Sequence, residues 1–245
     1  MRYFGLLGYP LSHSFSQKYF TDKFIAEGIT DCVYENFSVP AIAVFQTILA
    51  NKPALEGFNI TIPYKREVLA FLDSATDSVN KMGACNCVKI TNGKLVGYNT
   101  DIVGFKQSLL PFLKHYHQKA LILGTGGASS AVEYVLNELS IPYQFVSRVA
   151  RATAISYESL GAEMLQSHKL IINATPLGMY PNMQDCPAIP YELLTPEHHL
   201  FDLIYNPAET KFLAEGKRMG ASIQNGLEML VLQAEESWRI WNETN

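Results

Sequence analysis

The sequence predicts an α/β fold built as two domains. Three observations carry that reading. Through the first hundred residues, short β-branched strands alternate with amphipathic helical stretches. From residue 120 on, four continuously apolar segments (120–123, 143–146, 170–173 and 200–204) have the composition of strands that a parallel sheet buries on both faces. A glycine-rich turn, 124–129, follows the first of these directly. The chain has 245 residues, 48% hydrophobic and 17% charged, which is ordinary globular composition. At roughly 150 residues per domain that length suits one large or two small domains.

The elements follow in order. Residues 3–7 are apolar and strand-like until Gly8-Tyr9-Pro10 breaks them. Ser14 or Ser16 caps a helix running to Gly28, with Tyr19, Phe20, Phe24 and Ile25 on its inner face. A strand at 33–37 precedes a helix that Pro40 opens and that carries Ile42, Phe45, Ile48 and Leu49. The segment Phe58-Asn59-Ile60-Thr61-Ile62 is a strand stopped by Pro63, because proline cannot donate into a sheet ladder. A helix with Val68, Leu69, Phe71 and Leu72 comes next, then a hairpin (85–90 and 95–98) around Asn92-Gly93. Asp101 opens a helix carrying Val103, Phe105, Leu109 and Leu110. The final helix, 226–241, sets Leu227, Leu230, Val231, Ala234, Trp238 and Trp241 on one stripe. The expected domains are residues 1–101, completed by the last helix (226–245), and residues 102–225. The first holds a mixed, mostly parallel sheet, and the second a βαβ series and hence a doubly wound, Rossmann-type parallel sheet.

Gly124-x-Gly126-x-x-Ser129 ends a strand and opens a helix containing Ala131, Val132, Val135 and Leu136. The first glycine permits the tight turn and the second lets the backbone approach a pyrophosphate, while the helix N-terminus offers N–H groups and partial positive charge. An NAD site commonly sets an acid at the end of the second strand to hold the ribose hydroxyls. This chain has Ser147-Arg148-Val149-Ala150-Arg151 there, two cations and no acid, which suits the 2′-phosphate of NADP. Lys65, just past Pro63 at a strand's carboxyl end, is a candidate acid/base group, and Asp101 in Gly97-Tyr98-Asn99-Thr100-Asp101 is a carboxylate to partner it. Lysine, aspartate and nucleotide loop together point to a dehydrogenase.

Other classes are disfavoured. A net charge of -4 offers no basic surface for nucleic acid. No apolar run reaches the roughly 20 residues of a membrane-spanning helix, and Met1-Arg2-Tyr3-Phe4-Gly5 leads straight into strand-like sequence with no signal peptide. Cys32, Cys85, Cys87 and Cys186 are few and irregularly spaced, as reduced thiols in a cytoplasmic protein would be. His115, His117, His198 and His199 fall in polar connectors with no third ligand near, so no metal is expected, and His13 reads as a loop residue without a catalytic role.

Eight blocks distributed over nearly the whole chain resemble the shikimate dehydrogenase family: GYPLSHSFS (8–16), FNITIPYK (58–65), GACNCV (83–88), GYNTD (97–101), LGTGGAS (123–129), NATPLGM (173–179), DLIYNP (202–207) and NGLEMLVLQA (225–234). The resemblance implies NADPH-dependent, reversible reduction of 3-dehydroshikimate to shikimate, a step toward chorismate and the aromatic amino acids. It implies that Ser14 and Ser16 bind the substrate carboxylate, that Thr61, Asn86, Asp101 and Gln233 hold ring hydroxyls, and that Lys65 and Asp101 are catalytic. It sets Tyr205 and Gly226 beside substrate and nicotinamide and Met229 against the nicotinamide ring. Gly124, Gly126, Gly127, Ala128, Ser129, Ser147, Arg148, Arg151 and Thr175 complete the cofactor set. The implied enzyme is cytoplasmic, works as a monomer or homodimer, and needs neither metal, membrane nor nucleic acid.

The chain departs from the family pattern at three places. Ile102 stands after Asp101 where glycine is common, Asn86 is flanked by Cys85 and Cys87, and Arg151 comes one position earlier than the usual second arginine. Two alternatives remain: a quinate/shikimate dehydrogenase using NAD, and a non-catalytic metabolite sensor on the same scaffold. The sensor has little reason to keep Lys65 and Asp101 together.

Overall fold

The computed structural model describes residues 1–11 and 14–243, so His13 lies outside the described residues. The chain divides into two compact units, Met1–Thr100 with Ala234–Asn245, and Asp101–Gln233. Unit 1 contains β1 (Arg2–Gly8), α1 (Phe15–Ala26), β2 (Cys32–Ser38), α2 (Phe45–Asn51), β3 (Leu55–Ile60), β4 (Ser74–Ala75), α3 (Asp77–Met82), β5 (Cys87–Thr91) and β6 (Lys94–Tyr98). Unit 2 contains α4 (Asp101–Leu109), β7 (Ala120–Leu123), α5 (Ser129–Glu138), β8 (Tyr143–Ser147), β9 (Ala154–Ser156), α6 (Ala162–Ser167), β10 (Leu170–Asn173), β11 (His199–Asp202), α7 (Lys211–Arg218) and β12 (Ser222–Gln224). Helix α8 (Leu227–Asn242) begins in unit 2 and ends in unit 1.

The unit 1 sheet has the order β2-β1-β3-β5-β6-β4. Strands β2, β1 and β3 run parallel, β5 is antiparallel to both β3 and β6, and β4 pairs parallel with β6. Alternation along β1 sends Phe4 and Leu6 to one face and Leu7 to the other. The first face packs on Phe20 and Phe24 of α1 and on Trp241 of α8, whose ring stacks on Phe4 at 4.9 Å and whose indole N–H donates to Val88 O at 3.0 Å. The opposite face gathers Phe45, Phe58, Ile60, Val68 and Val88. Each such fully buried side chain contributes roughly 1.5–3 kcal/mol. The β5–β6 hairpin closes as expected on Asn92 and Gly93, at φ 52° and 76°, the positive pair of a type I′ turn.

Unit 2 is a parallel sheet of order β12-β11-β10-β7-β8-β9. Counting strands within the unit and reading from the β9 edge, this is 3-2-1-4-5-6, the doubly wound dinucleotide-binding order, with its switch point between β7 and β10. Strands β7, β10 and β11 are buried at every position: β7 is wholly apolar, while β10 ends in a buried Asn173 and β11 begins and ends in buried polar residues, His199 and Asp202.

Several expectations need correction. The strand through residue 58 ends at Ile60, and Ile62 is 73% exposed rather than paired. Residues 67–71 form a 3-10 turn instead of an α-helix, with Val68 alone fully buried. The stretch after Pro40 starts as a 3-10 turn at Ile42, and α2 begins only at Phe45. Ile25, Leu110 and Leu227 are exposed, since each falls at the rim of its helical stripe. Strands β9 and β12, three residues each, were not anticipated. His117 and His198 lie in connectors as expected but are buried there, and His199 is buried as the first residue of β11. Among the described residues no group of three or more His, Cys, Asp or Glu could hold a metal, and no helix is long and apolar enough to cross a membrane.

Candidate functional site

In unit 1 the topology collects the expected substrate residues at one end of the sheet. Strands β1 and β3 run toward it and β5 runs away from it, so Ser14 and Ser16 follow β1, Thr61 and Lys65 follow β3, and Asn86 immediately precedes β5. Ser14 is the N-cap of α1, its hydroxyl accepting from Gln17 N at 3.5 Å, so the two serines stand at a helix N-terminus where an anion is favoured. Main-chain bonds fix the loop after β3. Thr61 N donates to Leu7 O at 2.9 Å, Tyr64 N to Thr61 O at 2.9 Å, and Cys85 N to Lys65 O at 2.8 Å. Tyr64 anchors the same loop from below, its phenol donating to Val39 O at 2.5 Å. Lys65 itself is half-buried.

Beneath these residues lies a buried polar network. Asn86 Nδ2 donates to Thr100 Oγ1 at 3.0 Å, and Asn86 Oδ1 accepts Thr100 N at 2.6 Å. Asn59 Nδ2 donates to Ser237 Oγ at 2.8 Å and to Asn86 O at 3.3 Å, while Asn59 Oδ1 accepts the Tyr34 phenol at 2.9 Å. Ser237 Oγ lies 3.2 Å from Thr100 Oγ1. Ser16 faces the Tyr34 phenol, whose ionisation burial pushes well above its ordinary range. The network therefore runs from Ser16 to Thr100, the residue before Asp101. Asn59, Tyr34, Thr100 and Ser237 were missed from sequence. Asn59 and Thr100 lie inside quoted blocks, but nothing local distinguishes a buried amide from a solvated one.

In unit 2 the expected residues sit at five successive strand ends. Gly124 follows β7, Ser147 ends β8, Thr175 follows β10, Tyr205 follows β11 and Gly226 follows β12. These are all carboxyl ends, and the first and third flank the switch point, where open α/β sheets bind their ligands. Gly124 has φ +99°, and a Cβ there would meet Thr175 Cγ2 at 2.8 Å, so only glycine fits. At Gly126 and Gly127 an added Cβ would meet nothing within 4 Å, which leaves the backbone open at the N-terminus of α5. Ser129 closes the turn, its hydroxyl donating to Gly126 O at 2.7 Å, and Ala128 is the N-cap position.

Arg148 and Arg151 are exposed, and among the described residues neither side chain is in an ion pair or side-chain hydrogen bond. Ser147 turns its hydroxyl onto Val149 O. Open glycines, a helix N-terminus and two uncommitted guanidinium groups after the second strand fit a dinucleotide carrying a 2′-phosphate. Thr175 is held by Asn173, whose Oδ1 accepts both Thr175 N at 3.0 Å and Thr175 Oγ1 at 2.6 Å. Gly226 N donates to Ile204 O at 3.0 Å, tying the α8 entry to the loop that bears Tyr205. Met229 is half-buried, and Gln233, 8% exposed, donates from Nε2 to Leu230 O at 3.1 Å. Asp101 is half-buried at the first turn of α4. Asp101 and Lys65 belong to different units.

The fold and this arrangement define a two-unit α/β protein whose second unit has the dinucleotide-binding sheet. Residues 6–88 match the family model described as shikimate dehydrogenase substrate binding domain. A shikimate dehydrogenase (NADP(+)) of Methanococcus vannielii is 35% identical over 97% of this chain and 90% of its own. A solved shikimate 5-dehydrogenase from Thermus thermophilus, in complex with NADP(H) and shikimate, superposes with a TM-score of 0.87 at 31% identity, covering 99% of this chain and 94% of that one. A quinate dehydrogenase from Corynebacterium glutamicum in complex with NAD reaches a TM-score of 0.86 at 26% identity over 98% of this chain and 93% of that one. The chain belongs to the shikimate dehydrogenase family.

Proposed function

We propose that this protein is an NADP-dependent shikimate dehydrogenase, interconverting 3-dehydroshikimate and shikimate. The observation that carries the reading is the open Gly124–Ser129 turn at the switch point, with Arg148 at the end of the next strand, in a chain with full-length NADP(+)-dependent relatives. Unit 1 supplies the substrate residues. Ser14 and Ser16 hold the carboxylate at the α1 N-terminus, and Thr61 and Asn86 hold ring hydroxyls. Asp101 and Gln233 hold the remaining hydroxyls. Unit 2 supplies the cofactor residues: Gly124, Gly126, Gly127, Ala128 and Ser129 along the pyrophosphate, Ser147, Arg148 and Arg151 on the 2′-phosphate, and Thr175, Gly226 and Met229 on the nicotinamide side, with Tyr205 binding substrate beside the nicotinamide. When bound, NADPH supplies the hydride.

Lys65 gives a proton to the carbonyl oxygen during reduction and takes it back, as the amine, during oxidation. Its main chain is pinned through Cys85 N, which keeps the group from wandering with the loop. Each polar residue in the set also rejects a substrate that lacks its hydroxyl, because a partner would be left unpaired. The protein acts in the cytoplasm as a monomer or homodimer.

The test follows reduced-nicotinamide absorbance with shikimate against quinate and NADP against NAD. Preference for shikimate and NADP supports the reading, and faster turnover of quinate with NAD overturns it. Lys65→Ala should lower kcat about 10²- to 10⁴-fold and leave the shikimate KM within a modest factor; near-normal turnover would remove Lys65 from the chemistry. A second reading, quinate oxidation with NAD, is favoured by one observation, the early register of Arg151.

A further inference from the structure

Asp202, the last residue of β11, is fully buried, and among the described residues no lysine, arginine or histidine bonds to it. Its Oδ1 accepts Asn173 Nδ2 at 3.0 Å and Ile204 N at 3.0 Å, and its Oδ2 accepts Thr210 Oγ1 at 2.6 Å. Asn173 and Thr210 are fully buried as well. Each of the three donors governs a different segment. Asn173 ends β10 and passes its own Oδ1 to Thr175 N and Oγ1. Ile204 leads into Tyr205 and receives Gly226 N on its carbonyl. Thr210 is the N-cap of α7, accepting Leu213 N at 3.4 Å, and so fixes the far end of the 203–210 loop.

A carboxylate buried without a countercharge is costly to keep ionised, and desolvation pushes Asp202 up to about 6. A sheet that needed only stability would be served at lower cost by an apolar residue of similar size. What a carboxylate does that neither an amide nor an apolar group can do is accept from three donors at once. We propose that Asp202 is a positioning residue for the cofactor, holding the Thr175 turn and the Tyr205 loop in register across the ends of β10, β11 and β12. This inference rests on the assignment of those two segments to the nicotinamide side. Asp202 itself touches no reacting atom.

The test uses the full chain, with NADPH as the probe in two assays: fluorescence titration for Kd and steady-state kinetics. Asp202→Asn keeps the shape and replaces one accepting oxygen by a donor. It should weaken NADPH about 10-fold and lower kcat about 10- to 100-fold, with the shikimate KM within about twofold. Thr210→Val should move both quantities in the same direction by less, and Thr210→Ser should restore them. The groups facing Asp202 from β10, the 203–210 loop and α7 are Asn173, the Ile204 amide and Thr210, none of which titrates. The ratio of wild-type to D202N affinity should therefore fall as pH drops below about 6, and the 2′-phosphate's own titration cancels in that ratio.

Unchanged NADPH Kd and kcat in folded D202N, or equal losses for shikimate and NADPH, would overturn the proposal. Should D202N fail to fold, the Thr210 pair decides: Val equal to Ser in NADPH affinity overturns it. Wild-type protein inactive on shikimate would sink the functional reading and leave the NADPH titration to judge Asp202. Active wild type with fully binding variants would sink this inference alone.

Discussion

His199 couples the stability of unit 2 to pH, and the size of the coupling can be worked out. The ring is fully buried at the start of β11, with Nδ1 2.8 Å from Ser222 Oγ, Nε2 3.2 Å from Gln224 Oε1 and Phe112 stacked at 4.9 Å. Gln224 Nε2 donates to Ser108 O, so its Oε1 is an acceptor and the imidazole is the neutral Nε2–H tautomer. Desolvation, reinforced by the His117 ring 6.1 Å away, lowers the folded value to about 4 from an ordinary 6.5. The folded state thus binds fewer protons than the unfolded chain between those values, and stability is lost as pH falls through that window. About 2.5 units at 1.36 kcal/mol each is about 3.4 kcal/mol in full, of which about 2 kcal/mol is gone by pH 5.

Asp202 has the opposite sign. Its raised value means that the folded state gains protons between about 4 and 6, so it offsets part of the loss in wild type. The clean measurement is therefore a difference. Urea unfolding of wild type and His199→Gln is followed by circular dichroism from pH 7 to pH 4.5, with tryptophan fluorescence reporting unit 1 separately, because Trp238 and Trp241 both lie there. The stability gap should move in the variant's favour by about 2 kcal/mol between pH 7 and pH 5. A gap constant to within about 0.5 kcal/mol would refute the buried neutral imidazole, since that uncertainty is well below the expected change.

Four further outcomes follow from the geometry. Gly226→Ala drives a Cβ to 2.2 Å from Leu203 O, a main-chain atom that cannot swing away, and should cost about 2 kcal/mol or roughly 4–8 °C in Tm. Gly126→Ala, whose Cβ meets nothing, should melt like wild type while binding NADPH more weakly; equal Tm losses in the two variants would contradict this contrast. Arg148→Ala should raise the NADPH KM about 10- to 100-fold and leave NADH within a few-fold, and an unchanged NADPH/NADH ratio would assign the 2′-phosphate elsewhere. Asn59→Leu removes one buried hydrogen-bond partner from each of the Tyr34 and Ser237 hydroxyls and should cost about 1–3 kcal/mol by chemical denaturation, whereas a loss under about 0.5 kcal/mol would mean that the network repairs itself through Ser16 and Thr100.

What was legible in the sequence is what the backbone itself demands. Strand β7 and the apolar stretches of β10 and β11 (Leu170-Ile171-Ile172 and Leu200-Phe201) announce themselves because a strand covered on both faces is mostly apolar, and the Gly124 turn because its φ excludes other side chains. The hairpin at Asn92-Gly93 is legible for the same reason. The short edge strands β9 and β12 were not: three residues such as Ser222-Ile223-Gln224 hold too little pattern, and their partners alone make them strands. Apolar stripes also mislead at their rims. Ile25 follows Phe24 in sequence yet is 76% exposed, because one residue on a helix is a turn of about 100° away from the Phe20–Phe24 face.

The residues that could not be read are polar ones whose partners are remote in the chain. Asn59 bonds Ser237 across 178 positions, and Asp202 joins donors from β10, from the loop after β11 and from the cap of α7. In both units the network lies just below the strand ends that bear the candidate site, at the depth where water is excluded. There a hydrogen bond fixes a direction more firmly than an apolar contact does, because leaving it unmade is penalised while a slipped methyl group is tolerated. Lys65 and Thr175 need that directional hold, being on loops that the sheet alone would leave adjustable. The candidate site residues stand out in sequence by type and motif, whereas the buried polar residues beneath them emerge only once the strands are in register.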